Sequence, residues 1–343
     1  MNLRPLLETL RVEANLPALA GFIANRDSIL AANACGLRRA DQPNDLLTLA
    51  DYFQIGSNAK AMFAHACATL IAEGKLTWSI TPADCFPNLK ATMLPAYRRV
   101  TLEMLLTHHA GLPPYTDTDD PDFILPDFTS LPPEQHLACF AAHLLQHIAP
   151  ASNAPARYSN AGYSLAAAMA ERVSGAGWQT LLRQRVFDPL GIQAYAGYEH
   201  PARILPNQPW GHLPNPQGGF DPQPPTEPLI PPYLAPAGDV CLPPLAYARF
   251  LQIHLQLIQD PPPAFAPLHH TATAGIGAGW GVNPLRGLES LGLFSLHAGS
   301  TGNFFVIAAL SHQHNLAFAL LTNAGASQLT SALKRLLSAW FHL

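Results

Sequence analysis

"FQIGSNAKAMFAHACATLIAEG", residues 53–74, begins as a short apolar run and continues with the spacing of a helix that ends at a glycine. Ser57-x-x-Lys60 stands near the start of this helix, and a three-residue step places both side chains on one helix face. The helix start also offers free backbone N–H groups and the positive end of the helix dipole, which lower the cost of an alkoxide and of a neutral amine. The segment therefore predicts a nucleophile, Ser57, beside a base, Lys60.

The alternative for this motif is a serine that caps the helix, followed by an ordinary surface lysine. The chain contains a second copy, Ser331-Ala-Leu-Lys334, inside its last helix, where the Ser331 hydroxyl can bond back to a backbone carbonyl. The copy at Ser57 is more informative, because it stands at a helix start and because only four lysines occur in the chain.

A second pattern, Tyr158-Ser-Asn160, precedes another helix in "RYSNAGYSLAAAMAERVSG", residues 157–175. A phenol beside a cation can shuttle a proton. An asparagine amide can donate to a substrate carbonyl while it accepts from an ammonium such as that of Lys60. The alternative is an asparagine at a helix cap next to a packed tyrosine.

A third pattern is His297-Ala-Gly299 in "LHAGSTGN", residues 296–303, at the end of an apolar strand. This strand can present its edge N–H groups to a substrate, whereas the copy at His109 lies in a loop before a Pro-Pro turn. The stretch nearly matches the G-x-S-x-G nucleophile turn, which makes Ser300 a rival nucleophile. Ser300 lacks the required turn from strand to helix, so we expect it to contribute its backbone N–H instead.

Strand-like segments occur near both chain ends, at residues 18–25, 28–36, 291–299, 303–310 and 316–323, and helices are predicted at 3–14 and 327–343. This order predicts an α+β fold, with one antiparallel sheet formed by both chain ends and flanked by helices. Residues 1–56 and 255–343 would form an α/β sandwich, and residues 57–254 a mainly helical, loop-rich insertion, with the active site between them.

The proline-rich segment 201–267 contains 18 of the 34 prolines in the chain. Proline removes a backbone donor and breaks helices, so this density predicts no long regular element there. The segment is expected to be an extended wrap or a loop.

The composition argues against several classes of partner. The net charge is −4 and no basic run occurs, so nucleic acid is not an expected partner. No uninterrupted apolar stretch reaches about 18 residues, so no membrane span is expected. The first residues read as an amphipathic helix without the apolar core of a signal peptide, which predicts a cytoplasmic protein, or a periplasmic or secreted one if a leader has been removed. The sequence leaves the oligomeric state open.

The cysteines and histidines give no metal motif. The five cysteines are widely spread without a C-x-x-C pair, which argues against a disulfide framework. The close histidine pairs, such as His108-His109 and His269-His270, lack a third ligand at metal-binding spacing. We therefore expect neither a metal nor another cofactor.

Taken in order, the three patterns resemble the serine β-lactamase and penicillin-recognising family, whose motifs are S-x-x-K, Y-x-N and K/H-x-G. This family includes class C β-lactamases, serine DD-peptidases, D-aminopeptidases and β-lactamase-like esterases. "LLTHHAGLP" and "LAPAGDV" are similar to its "LLTHTSGLP" and "APAGG", with Asp239 in place of a glycine. The resemblance implies a β-lactamase/DD-peptidase-like fold, an α/β sandwich with an all-helical region and the site between them.

The resemblance also implies the site roles. Ser57 would attack an acyl carbonyl of a small-molecule or peptide substrate, with Lys60 and Tyr158 as the coupled base and acid. Asn160 would orient Lys60 and the substrate. The strand residues His297, Gly299 and Ser300 would bind the substrate, with the N–H groups of Ser57 and Ser300 holding the oxyanion.

The third motif bears on the substrate. Class C β-lactamases carry Lys-Thr-Gly where this chain has His297-Ala-Gly299, and a histidine is mostly neutral near pH 7. Loss of the fixed cation disfavours a β-lactam carboxylate, so an esterase or a D-residue peptidase or amidase is the favoured function. An acyltransferase, a β-lactamase or DD-peptidase, and a sensor that acylates without turnover stay open.

Overall fold

The computed structural model describes residues 2–117, 122–151, 155–197, 200–226, 229–271 and 275–343. In this part of the chain the strands are β1 (Ala18–Asn25), β2 (Ile29–Gly36), β3 (Phe53–Gln54), β4 (Tyr195–Ala196), β5 (Gly211–Pro214), β6 (Phe220–Gln223), β7 (Val240–Leu242), β8 (Ile276–Gly277), β9 (Trp280–Pro284), β10 (Leu293–Ser300), β11 (Phe305–Ser311) and β12 (Leu316–Thr322).

The helices in the same residues are α1 (Arg4–Glu13), α2 (Ala59–Ala72), α3 (Pro82–Cys85), α4 (Leu102–Leu106), α5 (Pro133–His147), α6 (Asn160–Ser174), α7 (Trp178–Leu182), α8 (Asp188–Leu190), α9 (Pro201–Ile204), α10 (Pro244–Gln259), α11 (Ala266–His269) and α12 (Leu329–Phe341). None of the described helices combines the length and apolar character needed to cross a bilayer.

The main sheet joins the two ends of the chain, as predicted. Its seven strands run in the order β2-β1-β12-β11-β10-β9-β8, and every neighbouring pair is antiparallel. β1 from the N-terminal end pairs directly with β12 from the C-terminal end, with Ala20 opposite Leu321. The antiparallel sheet flanked by helices is therefore confirmed.

Both faces of this sheet are covered, because successive side chains of a strand point to opposite sides. In β12, Phe318 and Leu320 pack in one apolar cluster with α1 and α12. Ala319 and Leu321 pack on the other side in a larger cluster that includes α2, α6 and α10. The larger cluster joins the sheet to the helical region and fixes the two parts against each other.

The predicted insertion is not all helical. β3, β7 and β4 form a three-stranded sheet, and β5 and β6 form a hairpin. These strands have only two to four residues each, which is too short for the period-two alternation that identifies a strand in sequence.

The prediction of no long element in the proline-rich segment is wrong for α10, which has 16 residues. Pro243 and Pro244 occupy its cap and first position, where a missing N–H costs nothing, and the next proline is Pro261. The predicted boundary at 254/255 falls inside this helix. Since α10 contacts β1, β11 and β12, the whole helix belongs with the sheet.

A hydrogen-bonded chain of histidines crosses the interior. His65 Nδ1 lies 3.2 Å from His254 Nε2, and His254 Nδ1 lies 2.7 Å from His269 Nε2. The Ser295 hydroxyl then lies 2.8 Å from both His269 Nδ1 and His312 Nε2. Desolvation lowers the pKa of His65 to about 4 and those of His254 and His269 well below the ordinary histidine value.

The buried histidines predict that acid destabilises the fold. The unfolded protein binds protons on these rings below about pH 6.5, whereas the folded protein resists them, so stability is lost as pH falls. For His65 alone, the free energy of unfolding at about pH 5 should be about 2 kcal/mol lower than near neutral pH. The measurement is urea unfolding between about pH 7.5 and pH 5. His254→Gln should weaken the dependence of the unfolding free energy on pH, whereas the exposed His314→Gln should leave that dependence unchanged. A wild-type protein with the same unfolding free energy over this pH range would contradict the prediction.

Candidate active site

Ser57 lies in a 3₁₀ turn, Gly56–Asn58, that leads directly into α2. Its Oγ is 3.0 Å from Lys60 Nζ and accepts a hydrogen bond of 2.6 Å from the Tyr158 hydroxyl. The structure thus brings together three of the four residues that the first two motifs single out.

The Lys60 side chain is completely buried. Its Nζ donates to the Ala237 carbonyl at 2.7 Å and lies 4.8 Å from the centre of the Tyr158 ring. Desolvation lowers the pKa of Lys60 well below its ordinary value. An uncharged amine in this place can accept the proton of the Ser57 hydroxyl.

His108 supports Tyr158 from the side. The two rings lie 4.5 Å apart between centres, and His108 Nδ1 accepts a hydrogen bond of 3.1 Å from the Ser159 N–H. Burial lowers the pKa of His108 to about 3, so its ring stays neutral and keeps the lone pair that this bond requires. The sequence signal for this residue was only the similarity of "LLTHHAGLP" to a family motif.

Asn160 begins α6 and lines the same cavity as Ser57. Its Nδ2 donates to the Tyr115 carbonyl at 2.8 Å, which fixes the amide at the cavity wall. Lys60 is held by the carbonyl of Ala237 in the "LAPAGDV" segment, and the part of Asn160 in orienting the amine stays a prediction.

The third motif lies on β10, which passes close to the Ser57 turn. β9 pairs with β10 only as far as Leu296, while β11 pairs along its whole length, so residues 297–300 form an edge beside the cavity. A Cβ on Gly299 would come within 2.2 Å of the Ile55 carbonyl and 2.6 Å of the Ser57 nitrogen. Glycine is therefore required for β10 to approach the nucleophile turn.

His297 on the same strand is neutral. It is 8% exposed, and its Nδ1 lies 2.7 Å from the Gly279 carbonyl, so Nδ1 carries the proton and donates it. Burial, together with nearby Lys60, lowers the pKa of His297 to about 4. This position of the site therefore offers a neutral imidazole rather than a cation.

A cavity of about 710 Å³ opens over Ser57. Its polar lining includes Ser57, Tyr158, Asn160 and Ser300. Its apolar walls come from Tyr115, Phe123, Leu229, Ile230, Pro231, Leu234 and Phe305. In the described residues no group of three or more His, Cys, Asp or Glu side chains is arranged to hold a metal ion.

The family model for beta-lactamases matches residues 3–338. The chain belongs to the beta-lactamase family. The family resemblance that the order of the three motifs predicts is thus confirmed, and the protein is a serine hydrolase of this family.

Individual relatives agree with this assignment. The chain is 28% identical to penicillin-binding protein 4 of Amycolatopsis lactamdurans over 93% of its length and 84% of the relative's. An octameric penicillin-binding protein homologue from Pyrococcus abyssi shares its fold with a TM-score of 0.79 at 22% identity, over 100% of this chain and 78% of the other. D-amino acid amidase from Ochrobactrum anthropi SV3 gives a TM-score of 0.76 at 19% identity, over 99% of both chains.

The contact between β10 and the nucleophile turn yields a prediction. Gly299→Ala should push the turn and the strand apart and lower kcat/KM by about a hundredfold, as a displacement of about 1 Å does in other active sites. Gly281→Ala on β9 is the matched control, since its added Cβ would meet its nearest atom at 3.5 Å. Ester hydrolysis by the two variants is the measurement, and equal activities would contradict the requirement for glycine.

Proposed function

We propose that the protein cleaves an ester or amide bond through an acyl-enzyme on Ser57. The observation that carries the proposal is the position of the Ser57 Oγ, 3.0 Å from the Lys60 amine and 2.6 Å from the Tyr158 hydroxyl, at the base of the cavity. A hydroxyl between a proton acceptor and a proton donor is the arrangement that nucleophilic catalysis requires.

In the acylation step, Lys60 takes the Ser57 proton as Oγ attacks the substrate carbonyl. The Ala237 carbonyl accepts a hydrogen bond from the ammonium that results. Tyr158 gives its proton to the leaving group and regains one from Lys60. In deacylation a water loses its proton along the same path in reverse and displaces the acyl group from Ser57.

The N–H groups of Ser57 and Ser300 would stabilise the oxyanion that forms on the substrate carbonyl. A Cβ on Gly56 would come within 2.7 Å of the Ser300 nitrogen, which supports the close approach of these two backbone segments. Asn160, at the cavity wall, would donate to a second carbonyl of the substrate.

The favoured substrates are esters, or peptides and amides of D-residues. Neutral His297 occupies the position where class C β-lactamases carry a lysine, so no fixed cation there attracts a carboxylate. The apolar walls of the cavity suit an uncharged acyl group. Likeness to a D-amino acid amidase fits this class of substrate.

The test is a substrate panel of p-nitrophenyl esters, D-amino acid amides, D-Ala-D-Ala peptides and a chromogenic cephalosporin. We expect the highest kcat/KM with an ester or a D-residue amide, and an acyl adduct on Ser57 in the intact mass of the quenched enzyme. Ser57→Ala should abolish turnover and the adduct, while Ser300→Ala should keep both, because only its backbone acts.

One outcome would overturn the nucleophile, a second the favoured substrate class, and a third hydrolysis as the reaction. An adduct mapped to Ser300 would move the nucleophile. A cephalosporin or a D-Ala-D-Ala peptide as the best substrate would make the protein a β-lactamase or DD-peptidase. Turnover that depends on an added alcohol or amine, with little hydrolysis, would make it an acyltransferase.

A further inference from the structure

A second cavity, of about 230 Å³, adjoins the Ser57 cavity. The two cavities share Leu229 and Thr301 as lining residues. Gly238 lines the first and its neighbour Asp239 lines the second. The two cavities are therefore adjacent, and a substituent of a substrate in the first would pass Leu229 and Thr301 to enter the second.

Two buried polar side chains line this second cavity. Asp239 is 7% exposed and Gln54 is 3% exposed, and the Gln54 Nε2 donates to Asp239 Oδ1 at 2.8 Å. Gln54 Oε1 accepts no hydrogen bond, and Asp239 Oδ2 makes none within the described residues. The buried Gln54 oxygen thus lacks a donor, which is costly unless a ligand supplies one, and Asp239 Oδ2 beside it can accept a further hydrogen bond.

The pair is held rigidly beside the nucleophile. Gln54 lies on β3, three residues before Ser57, and Asp239 directly precedes β7. β3 and β7 pair with Gln54 opposite Cys241. Asp239 also lies two residues after Ala237, and the Ala237 carbonyl accepts a hydrogen bond from Lys60. Three residues of chain span at most about 11 Å, so the acceptors lie within reach of a substrate bound at Ser57.

The Asp239 carboxyl forms no ion pair with a described residue. Burial raises the pKa of Asp239 to about 7, although the Gln54 hydrogen bond and Arg203 both lower it. Arg203 lines the cavity but is exposed, and in the part of the chain that the structure describes no cation lies within 4.0 Å of the Asp239 carboxyl. Burial lowers the pKa of His200, which also lines the cavity, to about 4, so this ring adds no charge.

We propose that this cavity is a subsite for a primary ammonium group of the substrate. The ammonium has three N–H donors and no acceptor, which matches the free oxygens of Asp239 and Gln54. Its charge would compensate the buried carboxyl. The inference rests on the proposed function. It narrows the substrates to esters or amides whose acyl part carries a primary amine. Asp239 departs from the similar family motif, which has glycine at this position.

The test compares p-nitrophenyl esters of ω-amino acids with those of alkanoic acids of equal chain length, over a series of lengths. At the length that reaches the subsite, wild type should prefer the amino ester in kcat/KM by tenfold to a hundredfold, roughly the effect of one charged hydrogen bond. Asp239→Asn, which keeps the shape of the side chain, should remove this preference.

Arg203→Gln should act in the opposite direction and increase the preference, because it removes a cation that repels the ammonium. Arg203 is exposed, so this variant tests the proposal even where a change at buried Asp239 impairs folding. Asp27→Asn, in the turn between β1 and β2, is the control for loss of one carboxylate and should match wild type.

Equal hydrolysis of both esters at every length, with acyl-Ser57 formed, would overturn the subsite and leave the proposed function standing. A preference for the half-ester of a dicarboxylic acid that Arg203→Gln removes would also overturn it, since the cavity would then bind a carboxylate. No hydrolysis and no adduct with any ester would refute the proposed function itself.

Discussion

Burial of the Lys60 amine against the Ser57 hydroxyl is the interaction on which the rest of the site depends. In water a lysine is charged and cannot accept a proton, whereas desolvation favours the neutral amine. The Ala237 carbonyl holds that amine in place without adding a charge of its own. Because His108 and His297 are also neutral, desolvation rather than a neighbouring imidazolium lowers the pKa of this amine.

The fold serves this arrangement by bringing distant segments into contact. Ser57 and Lys60 stand where α2 begins, Tyr158 lies two residues before α6, and Gly299 comes from β10 near the other end of the chain. β10 is held by β11, which pairs with β12, and β12 pairs with β1. The pairing of the two chain ends therefore determines where the substrate-binding edge lies, and Gly299 allows that edge to touch the nucleophile turn.

Strongly periodic features could be predicted from the sequence, and features made by tertiary pairing could not. The long strands and the order of the motifs at Ser57, Tyr158 and His297 carry local signals. Ser57 and Tyr158 line one cavity, and His297 lies on β10, whose residues Ala298 and Ser300 line the same cavity. The role of Ala237 belongs to a backbone carbonyl, which any residue supplies. The Gln54–Asp239 contact joins residues 185 positions apart through strands too short to recognise. Prolines also argued against a helix at α10, although the start of this helix accommodates them.

The charge state of Lys60 is the most direct test of the account. With only four lysines in the chain, an NMR titration of isotope-labelled lysine amines is simple to assign, using Lys60→Arg to identify the Lys60 signal. Because the amine is buried, we expect this signal to titrate well below the ordinary lysine pKa of about 10.4. A Lys60 signal that titrates at the ordinary value would contradict it, because the resting enzyme would then hold an ammonium that cannot accept the Ser57 proton.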